Sequence, residues 1–375
     1  MALGVRSLTA LSVLLSGCCS GGPGPERSPV LEQMPVFEAG QGGYACYRIP
    51  ALVVSNEGTI LAFCEARKNG CSDHGDIDLA LRRSTDGGST WTDIEIVMDD
   101  GDHTMGNPCP VVDRNTGTLW LPFCRDNKSI LLSKSTDDGR SWSSPVDITD
   151  SAKDPAWHWV GTGPGHGIQL ASGRLVIPCW ADATERLGEF QFSYVFYSDD
   201  SGVTWRRGGA LDHNASDECE VVQLDDGRVY MNMRSRQNRR QRAFAYSEDG
   251  CDTWSPVAYD PRLPEPPCQG SLIRFAPSDR FRESRFLLAT PANPAARTSM
   301  TIRMSRDDCQ SWPVSKVLYA GSAAYSDLAV NADREVLCLY EADDYSRVVL
   351  ARFNLHWLKN GERSPYLPRP SGKRS

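Results

Sequence analysis

The chain has 375 residues, with 40 Lys and Arg against 48 Asp and Glu and a formal net charge of −8. It lacks the basic footprint that phosphate binding requires, which excludes nucleic acid as an expected partner. Hydrophobic residues at 40%, with 32 Gly and 24 Pro, supply a large core and exclude wholesale disorder. The length fits two domains or one large all-β unit, and internal repeats decide between them.

In chain order, residues 1–18 come first: one basic residue (Arg6), an apolar run from Leu8 to Leu15, then Leu15-Ser16-Gly17-Cys18. The run is too short to span a bilayer as a mature helix and reads as an export signal. Its last four residues resemble the bacterial lipoprotein cleavage box, in which the Cys (here Cys18) is lipidated. The expected location is therefore outside the cytoplasm: periplasmic, membrane-anchored or extracellular, touching a membrane only through that lipid. Residues 19–33 are Gly/Pro-rich and read as a tether, residues 34–358 as the folded body, and residues 359–375, polar and basic without apolar period, as a loose tail. The body holds eleven cysteines, an odd number, so at least one is free or paired outside the chain. They form no CxxC pair and the six His form no HExxH, so the metal-site signal is weak.

Within the body, Ser84-Thr85-Asp86-Gly87-Gly88-Ser89-Thr90-Trp91 recurs at Ser135–Trp142 and Ser198–Trp205 as S-x-D-x-G-x-[TS]-W. Weaker copies at Ser247–Trp254 and Ser305–Trp312 put Cys251 and Cys309 in place of the second Gly. The central Asp residues 86, 137, 200, 249 and 307 lie 51, 63, 49 and 58 positions apart. The Asp carboxylate can bond the backbone N–H groups of its own turn, Gly takes a left-handed conformation at no steric cost, and Trp buries a ring beneath. Each copy is thus a self-capped hairpin turn. Runs such as Asp78–Arg83, Ser129–Ser133 and Tyr194–Tyr197 before the turns, and Ile94–Val97 and Ser315–Tyr319 after them, read as strands. Five turns at this spacing fit an all-β fold, a six-bladed β-propeller of four-stranded antiparallel blades with one blade lacking the motif.

The turns resemble the Asp-box repeats of sialidases, a pattern that non-catalytic propellers also carry. Residues outside the boxes extend the resemblance over roughly residues 34–357. Tyr47-Arg48-Ile49-Pro50 looks like the family's Arg-Ile-Pro motif, Asn232-Met233-Arg234-Ser235 is similar to the segment with its second arginine, and Arg297 stands where the third belongs. Asp73, eight residues before Leu81-Arg82-Arg83, resembles the catalytic Asp; Asp76 and Asp78 are its rivals. Glu218, sixteen residues before Arg234, resembles the family Glu, with Glu220 as rival, and Tyr325 in Ala323-Ala324-Tyr325-Ser326-Asp327-Leu328 resembles the nucleophile. Arg67 and Asn107 resemble positions that contact the sugar.

The resemblance implies a retaining exo-α-sialidase without metal or cofactor, expected as a monomer, acting on sialylated glycans. Arg48, Arg234 and Arg297 would grip the carboxylate of sialic acid, because guanidinium presents a planar fork that matches it. Tyr325 would attack the anomeric carbon, activated by Glu218, with Asp73 as general acid and then base. A neutral phenol suits a centre that already bears an anion, where a carboxylate nucleophile would be repelled. Alternatives are transfer to a sugar acceptor, hydrolysis of a deaminated sialic acid, a sialic-acid-binding propeller without turnover, and a scaffold receptor. The three catalytic groups speak against the last two.

Overall fold

The computed structural model describes Met1 and residues 28–212, 214–276 and 284–360. The leader with Cys18, most of the tether and nearly all of the tail lie outside the described residues. The chain is an all-β propeller. Among the described residues helix is confined to short pieces, Gln41–Gly43, Thr149–Ala152 and Leu355–Lys359, and no helix is long and apolar enough to cross a membrane.

The strands make antiparallel meanders, and four of the expected runs fall inside them, in Ile77–Ser84, Ser129–Ser135, Gln191–Ser198 and Val314–Val330, while the fifth, Ile94–Val97, is shifted by one residue to Glu95–Met98. Hydrogen bonds join them into two sheets of four strands, two of five and one of seven. This departs from six separate four-stranded sheets. The cause is the 17-residue strand Val314–Val330, which pairs on one side with Thr298–Ser305 and on the other with Val336–Ala342. The fold boundary also shifts: Leu31–Glu38, whose first three residues belong to the expected tether, pairs along Arg347–Phe353 and closes the ring. At the other end Lys359 completes the helix Leu355–Lys359.

The core lies between adjacent sheets. Phe63 and Leu79 pack on Leu121 and Phe123, Val176 and Val195 on Val221 and Met231, and Tyr230 on Leu272 and Phe286. The strands nearest the axis, such as Cys46–Val54 and Ser216–Gln223, are buried along nearly their whole length although they carry charged residues. At one end of the axis a cavity of about 530 Å³ is lined by residues of several inner strands, among them Leu52, Val112, Val222, Ile273 and Leu328, together with His166.

Register places the repeats and the candidate site at opposite ends. Ile60 pairs with Ser84, the first residue of a box, whereas Arg67 at the other end of the same strand pairs with Cys46 and Ile77. Likewise Val229 faces Ser247, the start of a box, while Ser216 faces Ser235 at the far end. All five boxes close as expected. In the first, Asp86 Oδ1 accepts from Ser89 N and Thr90 N at 3.0 and 2.9 Å, Oδ2 from the Thr90 hydroxyl, and Ser84 Oγ accepts from Gly88 N. Cys251 and Cys309 keep this geometry: each backbone takes the left-handed region (φ 84° and 62°) and each N–H reaches the box serine. Of the box tryptophans, Trp205 and Trp312 are buried and the other three half-buried.

Candidate active site

Eight predicted residues converge at the end away from the boxes, seven by side chain and one by backbone. Tyr325 lies near the start of the inner half of the long strand, 6% exposed, and its hydroxyl hydrogen-bonds Glu218 Oε1. Arg234 Nη1 reaches both partners, at 2.9 Å from Glu218 Oε2 and 3.3 Å from the Tyr325 oxygen. Arg48 and Arg297 place their guanidinium carbons 5.2 and 5.3 Å from the centre of the Tyr325 ring. Arg297 also donates to the Tyr345 hydroxyl at 3.2 Å and to Pro267 O at 2.9 Å. Asp73, on the loop after Ile60–Arg67, contacts Arg48 Nη1 at 3.2 Å and Arg67 Nη1 at 2.8 Å through one oxygen. Its side chain is 69% exposed, so it stands at the mouth rather than the floor. Asn107 joins through its backbone, donating its N–H to Glu65 Oε1.

Local backbone aims these groups. Ile49 sits in the left-handed region (φ 57°), a rare state for a β-branched residue. The pairing register slips between Arg48 and Ala51 at the same place. The bulge turns Arg48 toward the axis, and the strained Ile49 is held because its N–H donates to Glu341 Oε1 at 2.9 Å. Asn107 (φ 54°) and Ser299 (φ 64°) are also left-handed.

Several residues that sequence reading missed hold the rest. Glu341 clasps Arg48 with both oxygens, at 3.0 and 3.2 Å, and accepts from Tyr325 N at 3.1 Å. One carboxylate thus fixes the arginine and the tyrosine's backbone. Glu65 accepts from Arg67 at 3.0 and 2.5 Å. Asp217 lies 3.6 Å from Arg234 and 3.2 Å from Arg236. The sequence signal at Glu341 and Glu65 is slight: each is an acid within a largely apolar run, ILAFCEAR and VLCLYEA, and what it binds is visible only in the fold.

The rivals part company on distance. Asp76 pairs with Lys68 at 2.7 Å, and the buried Asp78 takes the Tyr44 hydroxyl and Lys68. Neither has a bond to the arginine cluster. Glu220 faces the axis from a deeper level, accepting from Leu272 N at 2.6 Å and Ser271 Oγ at 3.0 Å, with His166 3.9 Å away.

Burial pushes the Tyr325 phenol well above its ordinary value, and the Glu218 carboxylate adds to this against Arg234 and Arg297. For Asp73, partial burial favours the neutral acid, but Arg67 and then Arg48 outweigh it and hold the carboxyl below its usual range. Arg48 is pushed the opposite way from what its burial would do, chiefly by Glu341.

A propeller whose one end is capped by Asp-box turns, and whose other gathers three arginines around a Tyr–Glu pair, defines a class built to take an anionic ligand. Sequence comparison agrees: residues 58–338 match the family model of the BNR repeat-like domain. The chain is 36% identical to a sialidase of Micromonospora viridifaciens over 89% of its own length and 55% of that protein's. It is 30% identical to an exo-alpha-sialidase of Aspergillus fumigatus, covering 90% of this chain and 94% of the other. Among solved structures it is similar to the Hadza microbial sialidase Hz136, with a TM-score of 0.78 and 29% identity over 85% of this chain and 67% of the other. The chain belongs to the sialidase family.

Proposed function

We propose that the protein is a glycoside hydrolase, a retaining exo-α-sialidase that releases terminal sialic acid from glycans. The observation that carries this reading is the hydrogen bond between the buried Tyr325 hydroxyl and Glu218, ringed by Arg48, Arg234 and Arg297. A phenol held above its ordinary pKa attacks only if a base removes its proton, and Glu218 is in contact to take it. Arg234 touches both oxygens, so it stabilises the phenolate as the proton moves. The three guanidinium groups draw in the substrate's carboxylate and fix the anomeric carbon over the tyrosine oxygen. Asp73, at the mouth where a departing sugar would lie, protonates the leaving oxygen and afterwards activates water.

In the resting site Asp73 is ionised and leans on Arg48. A substrate carboxylate binding to Arg48 competes for that contact and relaxes the field that keeps Asp73 deprotonated, so binding itself prepares the acid. Purified protein incubated with a fluorogenic sialoside, beside a hexoside control, tests the reading: release from the first alone is expected, and release from neither overturns it.

The seven-stranded sheet reads as two blades sharing one strand, giving six. Support comes from the switch of partners along it, Ser322 pairing with Thr298 and Ala323 with Ala342. We also propose export through residues 1–18, with lipid attachment at Cys18, and action as a monomer.

A further inference from the structure

Cys46 and Cys71 form a disulfide, and the other nine described cysteines are buried thiols. The bond joins two segments of the site: Cys46 is two residues before Arg48 in the inner strand, and Cys71 is two residues before Asp73 in the loop. That loop is otherwise held at its base. Lys68 N bonds Asp76 O at 3.2 Å, and Gly75 exchanges two hydrogen bonds with the Thr104 hydroxyl at 3.1 and 2.8 Å. His74 lies edge-on to Trp159 with ring centres 5.6 Å apart. At the apex the Arg67 guanidinium donates to Cys71 O at 2.6 Å.

Asp73 itself touches only Arg48 and Arg67 among the described residues, and in the proposed complex Arg48 turns to the substrate carboxylate and Arg67 to the sugar. Once they give way, the carboxyl is placed by its backbone alone. The nearest covalent restraint on that backbone is Cys71. We infer that Cys46 and Cys71 are positioning residues for the general acid: their disulfide keeps the Asp73 carboxyl at the site mouth while its arginine contacts are surrendered to substrate. The inference rests on the reading of Asp73 as that acid.

Cys71 is exposed and Cys46 buried, so a dithiol reductant attacks the Cys71 sulfur. The S–S bond breaks, Cys46 leaves as thiolate and takes a proton, and the reductant's second thiol closes to its cyclic disulfide, leaving two protein thiols. The site's arginines, Tyr325 and Glu218 are untouched by this step. Opening the bond should therefore loosen protonation of the leaving group and spare attack by the nucleophile.

The test compares a sialyl-galactose, whose alkoxide needs a proton to depart, with an aryl sialoside, whose phenolate does not. Oxidised protein, dithiothreitol-reduced protein and Cys71→Ser are assayed on both, with alkylation and mass measurement confirming that both thiols are free. Expected is a loss of about tenfold or more in kcat/KM on the sialyl-galactose, with the aryl sialoside within about twofold, and recovery on reoxidation. Equal loss on both substrates, or no loss on either once both thiols are free, overturns the inference. If Cys71→Ser does not fold, the reduced wild-type protein decides. Oxidised protein that hydrolyses neither substrate overturns the sialidase reading and the inference with it, so the two failures are distinct.

Discussion

At the box end of the propeller each turn is satisfied by residues within eight positions of one another; at the site end Tyr325, Glu218 and Arg48 are held by partners far away in sequence, and only Asp73 has a near neighbour, Arg67, among its partners. Asp200 finds the Ser198 hydroxyl and the N–H and hydroxyl of Thr204 inside its own turn. Tyr325 finds Glu218 and Arg234 across 107 and 91 residues, and Arg48 finds Glu341 across 293. Positive φ occurs at both ends: in the boxes it falls on glycines and on Asp138, Ser201, Cys251, Asp308 and Cys309 inside self-closed turns, whereas beside the site Ile49, Asn107 and Ser299 take it under tertiary constraint. Local closure frees one end to be a rigid frame; the other end spends that rigidity on holding like charges and strained backbone together.

The sharpest way to break the comparison is Tyr325→Phe. Only a hydroxyl is lost, so the melting temperature should change little, while turnover of a sialoside should fall on the order of 10⁴-fold or more. Near-wild-type turnover would remove Tyr325 from the chemistry. A counterpart at the box end is Gly202→Ala. An added Cβ would lie 2.2 Å from Trp120 at φ 88°, so about 2 to 4 kcal/mol of stability should be lost with kcat/KM unchanged at temperatures where the protein stays folded. Reduced kcat/KM in that folded regime would mean the two ends are coupled.

Arg48→Lys, Arg234→Lys and Arg297→Lys should each cost about 2 to 3 kcal/mol, or roughly 30- to 150-fold in kcat/KM, as a charged hydrogen bond and the planar fork are lost. A sialoside methyl ester is the control. If wild-type protein cleaves it as well as the free acid, the cluster does not grip a carboxylate.

This difference between the ends also explains what was legible in the sequence. A box is local chemistry and repeats, so all five were readable, as were the site residues embedded in short motifs. Glu341 and Glu65 were not, because what they do is defined by partners brought alongside only by sheet register. The pairing of Cys46 with Cys71 among eleven body cysteines needed the same register. The joined seven-stranded sheet depends on one strand continuing past Ser322, where Gly321 is the sole mark of the change of partner and the chain stays extended through it.

The two ends should respond oppositely to pH. Box aspartates are held low by the hydroxyl four residues on, Asp137 to about 2 and Asp200 in the same direction. Their folded values lie below the ordinary ~3.9, so their contribution is present above that pH and is lost as pH falls through the folded values. Near the site, burial pushes Asp217 up to about 6 against Arg234, and Glu220 is raised by burial and then by Asp327. Folded values above the unfolded ones mean a contribution present below about pH 4 and lost as pH rises through them. With these groups alone, melting temperature should therefore peak near pH 4 and decline as pH rises toward about 6. Combining Asp137→Asn with Asp200→Asn should flatten the acid side, and Asp217→Asn the upper side. A profile whose upper side is unchanged in Asp217→Asn would remove that carboxyl from the account.

The smallest effect belongs to the box that breaks its own rule. Cys251 holds the left-handed position (φ 84°) that Gly holds in three other boxes, and its thiol is fully buried with Val195, Val229 and Ala245 in the adjoining core cluster. Cys251→Gly relieves about 1 to 2 kcal/mol of backbone strain. It also removes a buried methylene and sulfur, a loss of similar size, and gives the unfolded chain more freedom. The terms oppose, so the net change should stay within about 1 kcal/mol, read by urea unfolding with an unchanged m-value. The turn itself persists either way, because Ser247 Oγ receives the backbone N–H of position 251 and Asp249 receives those of Asp252 and Thr253. A loss well beyond 1 kcal/mol would mean that this turn depends on a side chain packed from outside it, and the line between a locally closed end and a tertiary-built end would have to be redrawn to pass through the fourth box.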